Sequence, residues 1–521
     1  MIESENARQA GPGKPESGVQ IRIASLLAIA AVLVLLASLL ASRTNAEPPD
    51  VAVTPSASTQ TKPVQPATPE AAQPAAGSDA TQPDDAQALN RGALAIAVRE
   101  EFVRAWKAYR QYAWGHDELK PLSKTPRDWY GESLLITPVD ALDTMLLMGL
   151  NEEAEEAKKL IVEKLSFDRD IPVKNFEITI RLLGGLLSSY QMTGDKRLLR
   201  LADDLGTRLL PVFGSRTGMP YMFVNLKTGK PSGAKSNPAE IGTLVLEFGT
   251  LARLTGKSLY FESARNALGQ LFRHRSPLGL VGDGIDVETG EWTGKDSHVG
   301  GGIDSYYEYL LKCSKLFDDK ECGVMWRKSL QALDEYLAEE TPTGLWYGQA
   351  DMLTGKRTAS EFGALHAFFP AVLALGGDLE RARRLQASCL RMWNLKGIEP
   401  DLIDYRSMRV LDTGYPLRPE IIESAYTLHR LTHDPVYLEM GRSFFEAIVR
   451  RCRTEAGTTV LKDVSTGEKG DLMPSYYLAE TLKYLYLLFA PDDTLDFSQV
   501  VFNTEAHPLR KTGAARTAAH D

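Results

Sequence analysis

Residues 176–190 read FEITIRLLGGLLSSY. From Ile178 to Tyr190 the apolar side chains recur at helical spacing on more than half of the circumference, which predicts a helix buried on most sides. Glu177 and Arg181 stand one turn apart on that helix, so an acid and a base share a face that is otherwise apolar. The same pattern returns at 241–254 (IGTLVLEFGTLARL), 421–431 (IIESAYTLHRL) and 478–489 (LAETLKYLYLLF). Between such segments lie Gly-, Pro- and Asp-rich joints, TGD at 193–195, LTGKSLYF at 254–261 and LTHDPVYL at 431–438, which read as tight turns.

Acids open or punctuate these helices at Glu177, Glu240, Asp304, Glu361, Glu420 and Glu480, with successive spacings of 63, 64, 57, 59 and 60. Sixty residues is the length of two helices and two connections, and the folded part holds about seven such units. The expected fold is therefore all-α, an (α/α)7 barrel of helical hairpins with buried inner helices and acids at one mouth. Helix N-termini favour acids through capping and the dipole in any helical protein, so the spacing needs local support. In GGGIDSYYEYLLK (300–312) Asp304 and Glu308 sit one turn apart among tyrosines, behind glycines that let a ligand approach the backbone. In LRPEIIES (417–424) Arg418 and Pro419 precede Glu420, and Glu423 follows one turn later. Carboxylates gathered with arginine and aromatic rings are what a carbohydrate site needs: acceptors for hydroxyls, rings for sugar faces and two carboxyls for acid and base work.

The chain has 521 residues, 43% of them hydrophobic and 24% charged, with a net charge of -9. No basic patch interrupts that balance, and nucleic acid is not an expected partner. Residues 23–41 form an almost unbroken apolar run flanked by Lys14, Arg22 and Arg43. That run is expected to be a transmembrane anchor, or a signal segment if cleaved, with a short cytoplasmic N-terminus at 1–22 and an exported body facing the periplasm or lumen. Residues 42–90 are rich in Pro, Ala, Thr, Gln and Ser and predict a disordered linker; 91–509 form the barrel and 510–521 a disordered tail. Cys313, Cys322, Cys389 and Cys452 fall in the exported part, where oxidation is permitted, and spacing does not choose among their three pairings. No CxxC pair or zinc-spaced histidine accompanies them, and the chain has no Asn-X-Ser/Thr sequon. A monomer is expected.

Seven ordered motifs resemble a known family, the class I α-1,2-mannosidases of glycoside hydrolase family 47. They are VDALDTMLLMGL (139–150), FEITIRLLGGLLSSY (176–190), AEIGTLVLEF (239–248), IDSYYEYLLK (303–312), LRPEIIESAYTLHRLT (417–432), YYLAETLKYLYLLF (476–489) and FNTEAHPL (502–509). The resemblance implies an (α/α)7 barrel, a calcium ion at its base, and hydrolysis of α-1,2-mannosides or high-mannose oligosaccharides with inversion. By position it implies Glu177 as general acid, Glu420 as the base that activates water, and Asp304 as a second acid candidate. Arg181, Glu240, Glu308, Arg418, Glu423, Tyr476, Glu480 and Glu505 would bind substrate or the water shell of the ion. Thr504 offers a hard cation two oxygens, its carbonyl and its hydroxyl, with waters completing the shell; Glu505 and His507 would hold those waters. Asp140 and Asp143 match DALDT, as substrate contacts or as supports of the barrel floor.

Departures from the family pattern carry expectations of their own. The disulfide partner of Cys389 is replaced in LHAFFPAVLALGG (365–377). Tyr476 stands where a Phe forms the floor under the sugar, and its extra hydroxyl must find a partner. Pro474 replaces a Glu in PSYYLAE (474–480), and Asp401 in Glu399-Pro400-Asp401 matches the acid of a PE motif. Gly302 replaces an Arg that selects one glycan branch in some members, which implies a more open site. Two other classes fit the residues less fully: another α/α-barrel glycosidase or sugar epimerase, and an inactive glycan-binding lectin that would lose the acid or base.

Overall fold

The broad apolar faces become the inner wall of a closed ring. A computed structural model describes residues 90–511. The helices run α1 (Arg91–Tyr112), α2 (Ile136–Leu147), α3 (Asn151–Lys164), α4 (175–193), α5 (Lys196–Leu209), α6 (238–255), α7 (Ser258–Arg273), α8 (Asp304–Phe317), α9 (Lys320–Tyr336), α10 (364–376), α11 (Leu379–Asn394), α12 (Glu420–Thr432), α13 (Val436–Cys452) and α14 (477–489). Even-numbered helices pack side by side in chain order, and the Tyr477–Thr481 turn of α14 returns against α2 to close the circle. Each odd-numbered helix packs outside an even one, α1 against α14. The described residues thus form seven hairpins around a common axis.

Burial follows the sequence pattern. In α2 every residue but Leu146 is buried, as an inner helix requires, whereas α5 buries Leu198, Ala202, Leu205, Gly206 and Leu209 along one stripe, as an outer helix should. Two of the joints from inner to outer helix are tight because a left-handed glycine ends one helix and an aspartate caps the next. Gly194 (φ 73) is followed by Asp195, whose side chain accepts from Arg197 N, and Gly377 (φ 99) by Asp378, which accepts from Arg381 N; both devices satisfy helix-end groups.

Connections from outer to inner helix are long and carry short antiparallel strands, which the all-α expectation did not include. Pro172–Lys174 pairs with Phe223–Asn225, Lys235–Ser236 with Gly284–Asp286, Asp296–Ser297 with Gln349–Asp351, and Glu361–Gly363 with Leu402–Asp404. Successive connections are therefore stitched to one another around the mouth, where all inner helices begin. Strands of two to four residues show no alternation a sequence could display.

The opposite end is entered by a C-terminal hairpin, Val500–Phe502 paired with Pro508–Arg510. Its base lies beside the last turns of α4 and α6, where Gln191 Oε1 accepts from Arg510 N (3.0 Å) and Arg253 donates to the Arg510 carbonyl (2.5 Å). Its tip, residues 503–507, reaches inward past Gly184 and Gly185. A Cβ at Gly184 would lie 2.6 Å from Asn503 Nδ2 and 2.9 Å from His507 Cδ2, and one at Gly185 2.8 Å from the Val139 carbonyl. The double glycine of the opening stretch is thus the notch that admits the hairpin.

Cys313 and Cys322 form a disulfide between α8 and α9, while Cys389 and Cys452 are buried free thiols. Among the described residues no helix is long and apolar enough to cross a membrane. The segments expected at 1–22 and 23–41, all but the last residue of 42–90, and the tail beyond Lys511 lie outside the described residues. The closing strand runs through Arg510.

Gly184→Ala is expected to destabilise the protein by about 1–3 kcal/mol, the usual range for overpacking a filled core. Chemical denaturation checks this: a midpoint equal to that of the parent would mean the hairpin tip yields without cost.

Candidate active site

A cavity of about 310 Å³ opens where the inner helices begin. Glu177, Arg181, Glu240, Asp304, Glu308, Arg418, Glu420, Glu423, Tyr476, Glu480, Thr504 and Glu505 all line it. They come from α4, α6 and α8, from the residues that lead into and open α12 and α14, and from the hairpin tip, so these twelve candidates are brought to one place. Glu361 departs from the recurrence of acids. It sits in a strand ahead of α10, near Gln349, and that sector of the wall is supplied by Leu365 and Phe368.

Eight of the lining residues are carboxylic acids and three, Lys174, Arg181 and Arg418, are cations. Arg181 is the hub. Its guanidinium donates to Glu177 (3.1 Å) and Glu505, lies 3.6 Å from Asp140, and is flanked by the rings of Trp129 (5.3 Å) and Tyr476 (5.7 Å). Lys174 is 2.6 Å from Glu240 and 3.7 Å from Glu177. Lys312, almost fully buried behind the wall, bridges Glu308 and Glu423. Arg418 reaches Asp401 at 3.4 Å.

Burial outweighs these pairings for most of the acids. It pushes Asp304 up to about 7, opposed by bonds from Ser305 and aided by nearby Glu308. Glu420 also rises to about 7 through burial, against the pull of Arg418 and with repulsion from Asp401 and Asp304. Glu240 and Glu423 reach about 7 for the same first cause, opposed by Lys174 and Lys312 respectively. Glu480 is raised well above the carboxylate range by burial and by Glu505 and Glu420.

Beneath the cavity the hairpin tip is held by a buried ionic cluster. Asp143 forms an ion pair with Lys483 Nζ (2.8 Å) and accepts from His507 Nδ1 (2.7 Å), and His507 Nε2 faces Asp140 at 3.4 Å. His507 therefore does not face the cavity to hold waters, as the sequence had suggested; its ring is fully buried and anchors the tip. Asp140 and Asp143 are floor supports, with Asp140 accepting from Ser475 and lying close to Arg181. Asn503 completes the tip. It donates to the Ile180 carbonyl (2.9 Å) and Glu247 (2.8 Å), and its side-chain oxygen accepts from the backbone of Glu505 and His507. This leaves Thr504 and Glu505 presented upward, with Thr504 N donating to the Tyr309 hydroxyl at 3.3 Å.

The glycine run before Asp304 divides its work. A Cβ at Gly300 would strike His366, so that glycine serves packing; Gly301 and Gly302 both line the cavity, where a Cβ at Gly301 would meet Leu365 at 2.8 Å and one at Gly302 (φ 90) has its nearest neighbour, Asn237, at 3.8 Å. Sequence reasoning missed Lys174, Lys312 and Trp129. Only Lys312 carried a signal, its helical spacing from Glu308.

The family model of Glycosyl hydrolase family 47 matches residues 101–511. Alpha-mannosidase I MNS5 of Arabidopsis thaliana is 37% identical over 444 residues, covering 79% of this chain and 76% of the relative. ER degradation-enhancing alpha-mannosidase-like protein 2 of Mus musculus is 36% identical over 470 residues, covering 84% and 80%. Among solved structures, alpha-1,2-mannosidase from Trichoderma reesei superposes with a TM-score of 0.75 at 28% identity, over 81% of this chain and 99% of that one. Cellobiose 2-epimerase from Bacillus thermoamylovorans, at 9% identity and a TM-score of 0.52 over 76% of this chain and 99% of its own, shares the fold alone.

The raised carboxyls set a direction for stability against pH. Asp304, Glu420, Glu240 and Glu423 bind protons more tightly folded than unfolded, so the folded state is favoured at low pH and loses ground as pH rises through about 7. His507, raised to about 9 mainly by Asp143 against its own burial, contributes stability fully below its ordinary range and loses it as pH rises towards 9, the same direction. Asp143, lowered to about 2 by Lys483 and His507 despite burial, weakens the fold only under strong acid. In chelator-treated protein the thermal midpoint should therefore fall between pH 5 and pH 8; a flat or rising profile would contradict the charge balance.

Proposed function

Because the chain belongs to Glycosyl hydrolase family 47, we propose that it is a calcium-dependent exo-α-1,2-mannosidase that removes terminal mannose from mannosides or high-mannose oligosaccharides with inversion. The convergence of Glu177, Asp304 and Glu420, from three different inner helices, in one cavity floored by Thr504 carries the proposal. A lectin would need neither a raised acid nor a raised base, and both are kept here.

Glu420 opens α12 and takes the role of base. Once ionised, its buried carboxylate accepts a proton from the water that attacks the anomeric carbon, while a second carboxyl protonates the leaving oxygen. Asp304 and Glu177 compete for that second role. Asp304 holds its proton to about 7, whereas Glu177 faces two cations, Arg181 and Lys174. The Tyr476 ring lines the cavity and offers a sugar a stacking face.

The residues present fit calcium. The lining offers Thr504 and many carboxylate oxygens and no histidine or cysteine, and Glu240 and Glu420 each keep one buried oxygen without a hydrogen-bond partner. An all-oxygen, strongly acidic donor set suits a hard cation. Thr504 would hold the ion through its carbonyl and hydroxyl, with Glu505 and Glu480 near its water shell. Calcium bound there supplies positive charge and oxygen coordination for sugar hydroxyls. The disulfide Cys313–Cys322 fits an exported enzyme in an oxidising compartment, anchored or released according to the fate of residues 23–41.

Chelation should abolish hydrolysis of α-1,2-mannobiose and calcium should restore it, with Thr504→Ala needing at least tenfold more calcium. Full activity in protein shown to be metal-free would sink the proposal. Initial product observed by NMR should be β-mannose; α-mannose would rule out inversion.

Glu420→Gln keeps shape but cannot take a proton, so kcat should fall by roughly two to four decades with binding nearly spared. Of Glu177→Gln and Asp304→Asn, the variant lacking the proton donor should regain most of its rate on a dinitrophenyl mannoside, whose leaving group needs no protonation. Near-parental turnover in Glu420→Gln would remove the base from this scheme.

A further inference from the structure

The segment that delivers Arg418 and Glu420 to the cavity makes an unfavourable turn. Tyr415 is paired with Leu461 through two backbone bonds of 2.9 Å. Two residues later Leu417, buried and branched, sits at φ 66, in the left-handed region that leucine rarely enters. From there Arg418, Pro419 and Glu420 enter the cavity wall. A turn of this kind persists only where its surroundings hold it.

Two hydroxyls from the start of α14 do so. Tyr476 Oη donates to the Pro416 carbonyl at 2.6 Å, and Thr481 Oγ1 donates to the Leu417 carbonyl at 2.7 Å. They grip the two consecutive carbonyls at the turn, from one helix start that also presents Glu480. The Tyr476 ring meanwhile lines the cavity beside Arg181. A phenylalanine would keep that ring and lose the bond.

We propose that Tyr476 and Thr481 are positioning residues: their hydroxyls clamp the strained turn at Leu417 and so aim Arg418 and Glu420 into the site. The side chain that offers a face to the sugar thereby also steadies the base. This rests on Glu420 being the base, but the clamp itself can be measured without activity. Each hydroxyl lost frees one carbonyl and lets Leu417 relax, which turns Glu420 away from the water it must activate.

Hydrogen exchange of peptides spanning 413–423, and steady-state kinetics on α-1,2-mannobiose, should be run on the full chain carrying Tyr476→Phe, Thr481→Val or both. Each single substitution is expected to speed exchange in that segment about tenfold, as loss of one well-formed bond allows. Each should lower kcat about three- to tenfold with KM within twofold, and shift the limb of the pH profile set by the base. The double variant should depart from the product of the singles, because both bonds serve one turn. Unchanged exchange in both singles overturns the clamp whatever the activity. A raised KM at constant kcat in Tyr476→Phe would make that residue a sugar contact only and also overturn it. If the parent chain does not cleave the disaccharide, the mannosidase proposal falls while exchange still decides the clamp.

Discussion

Everything above the barrel floor depends on Asp143, a carboxylate with no exposure to water, held between the Lys483 ammonium and the His507 ring. A polar hairpin tip can occupy the axis of an apolar ring only if its polar atoms find partners there, since an unpaired buried charge costs far more than any single contact returns. Lys483 meets that demand twice, pairing with Asp143 and donating to the Ala506 carbonyl at 2.7 Å. Replacing such a cluster with apolar groups is often neutral for stability. Its value here is register, because one set of partners fixes which residues of the tip face upward.

From that register follows the order of charges above it. Asp140 touches the anchor on one side, through His507, and Arg181 on the other; Arg181 in turn holds Glu505 and Glu177. Charge thus runs without a break from the plug to the mouth. Two inner helices widen into π turns on this route, at Thr179–Leu183 and Tyr477–Thr481, and these contain Arg181 and Glu480. One extra residue per turn re-aims a side chain relative to its helix, and such turns are frequent at functional sites.

Much of this was legible because inner helices are extreme. A helix buried on nearly all sides cannot hide its few acids, so Glu177, Glu240, Asp304, Glu420 and Glu480 stood out at regular intervals. Glu361 broke the rule because spacing counts residues and ignores the strand that precedes α10. His507 was misplaced for a related reason: its neighbours in sequence face the cavity, whereas its ring turns to the floor. Lys174 and Trp129 lie on the connections, where no periodicity marks a residue. The disulfide was illegible too, because Cys313 and Cys322 become neighbours only when α8 and α9 fold into a hairpin around the Asp319 cap, which accepts from Cys322 N at 2.9 Å.

Glu420 and the plug are supported from different directions. The plug is fixed by ionic contacts at the bottom of the ring, where water is excluded and the partners are charged. The turn carrying Glu420 is fixed by neutral hydroxyls, at Tyr476 and Thr481. That division has a physical logic. A charged clamp beside Glu420 would shift the proton affinity of the very group it positions, in either direction according to its sign. Hydroxyls hold geometry with much less effect on charge, which leaves burial, Arg418, Asp401 and Asp304 to set where Glu420 titrates.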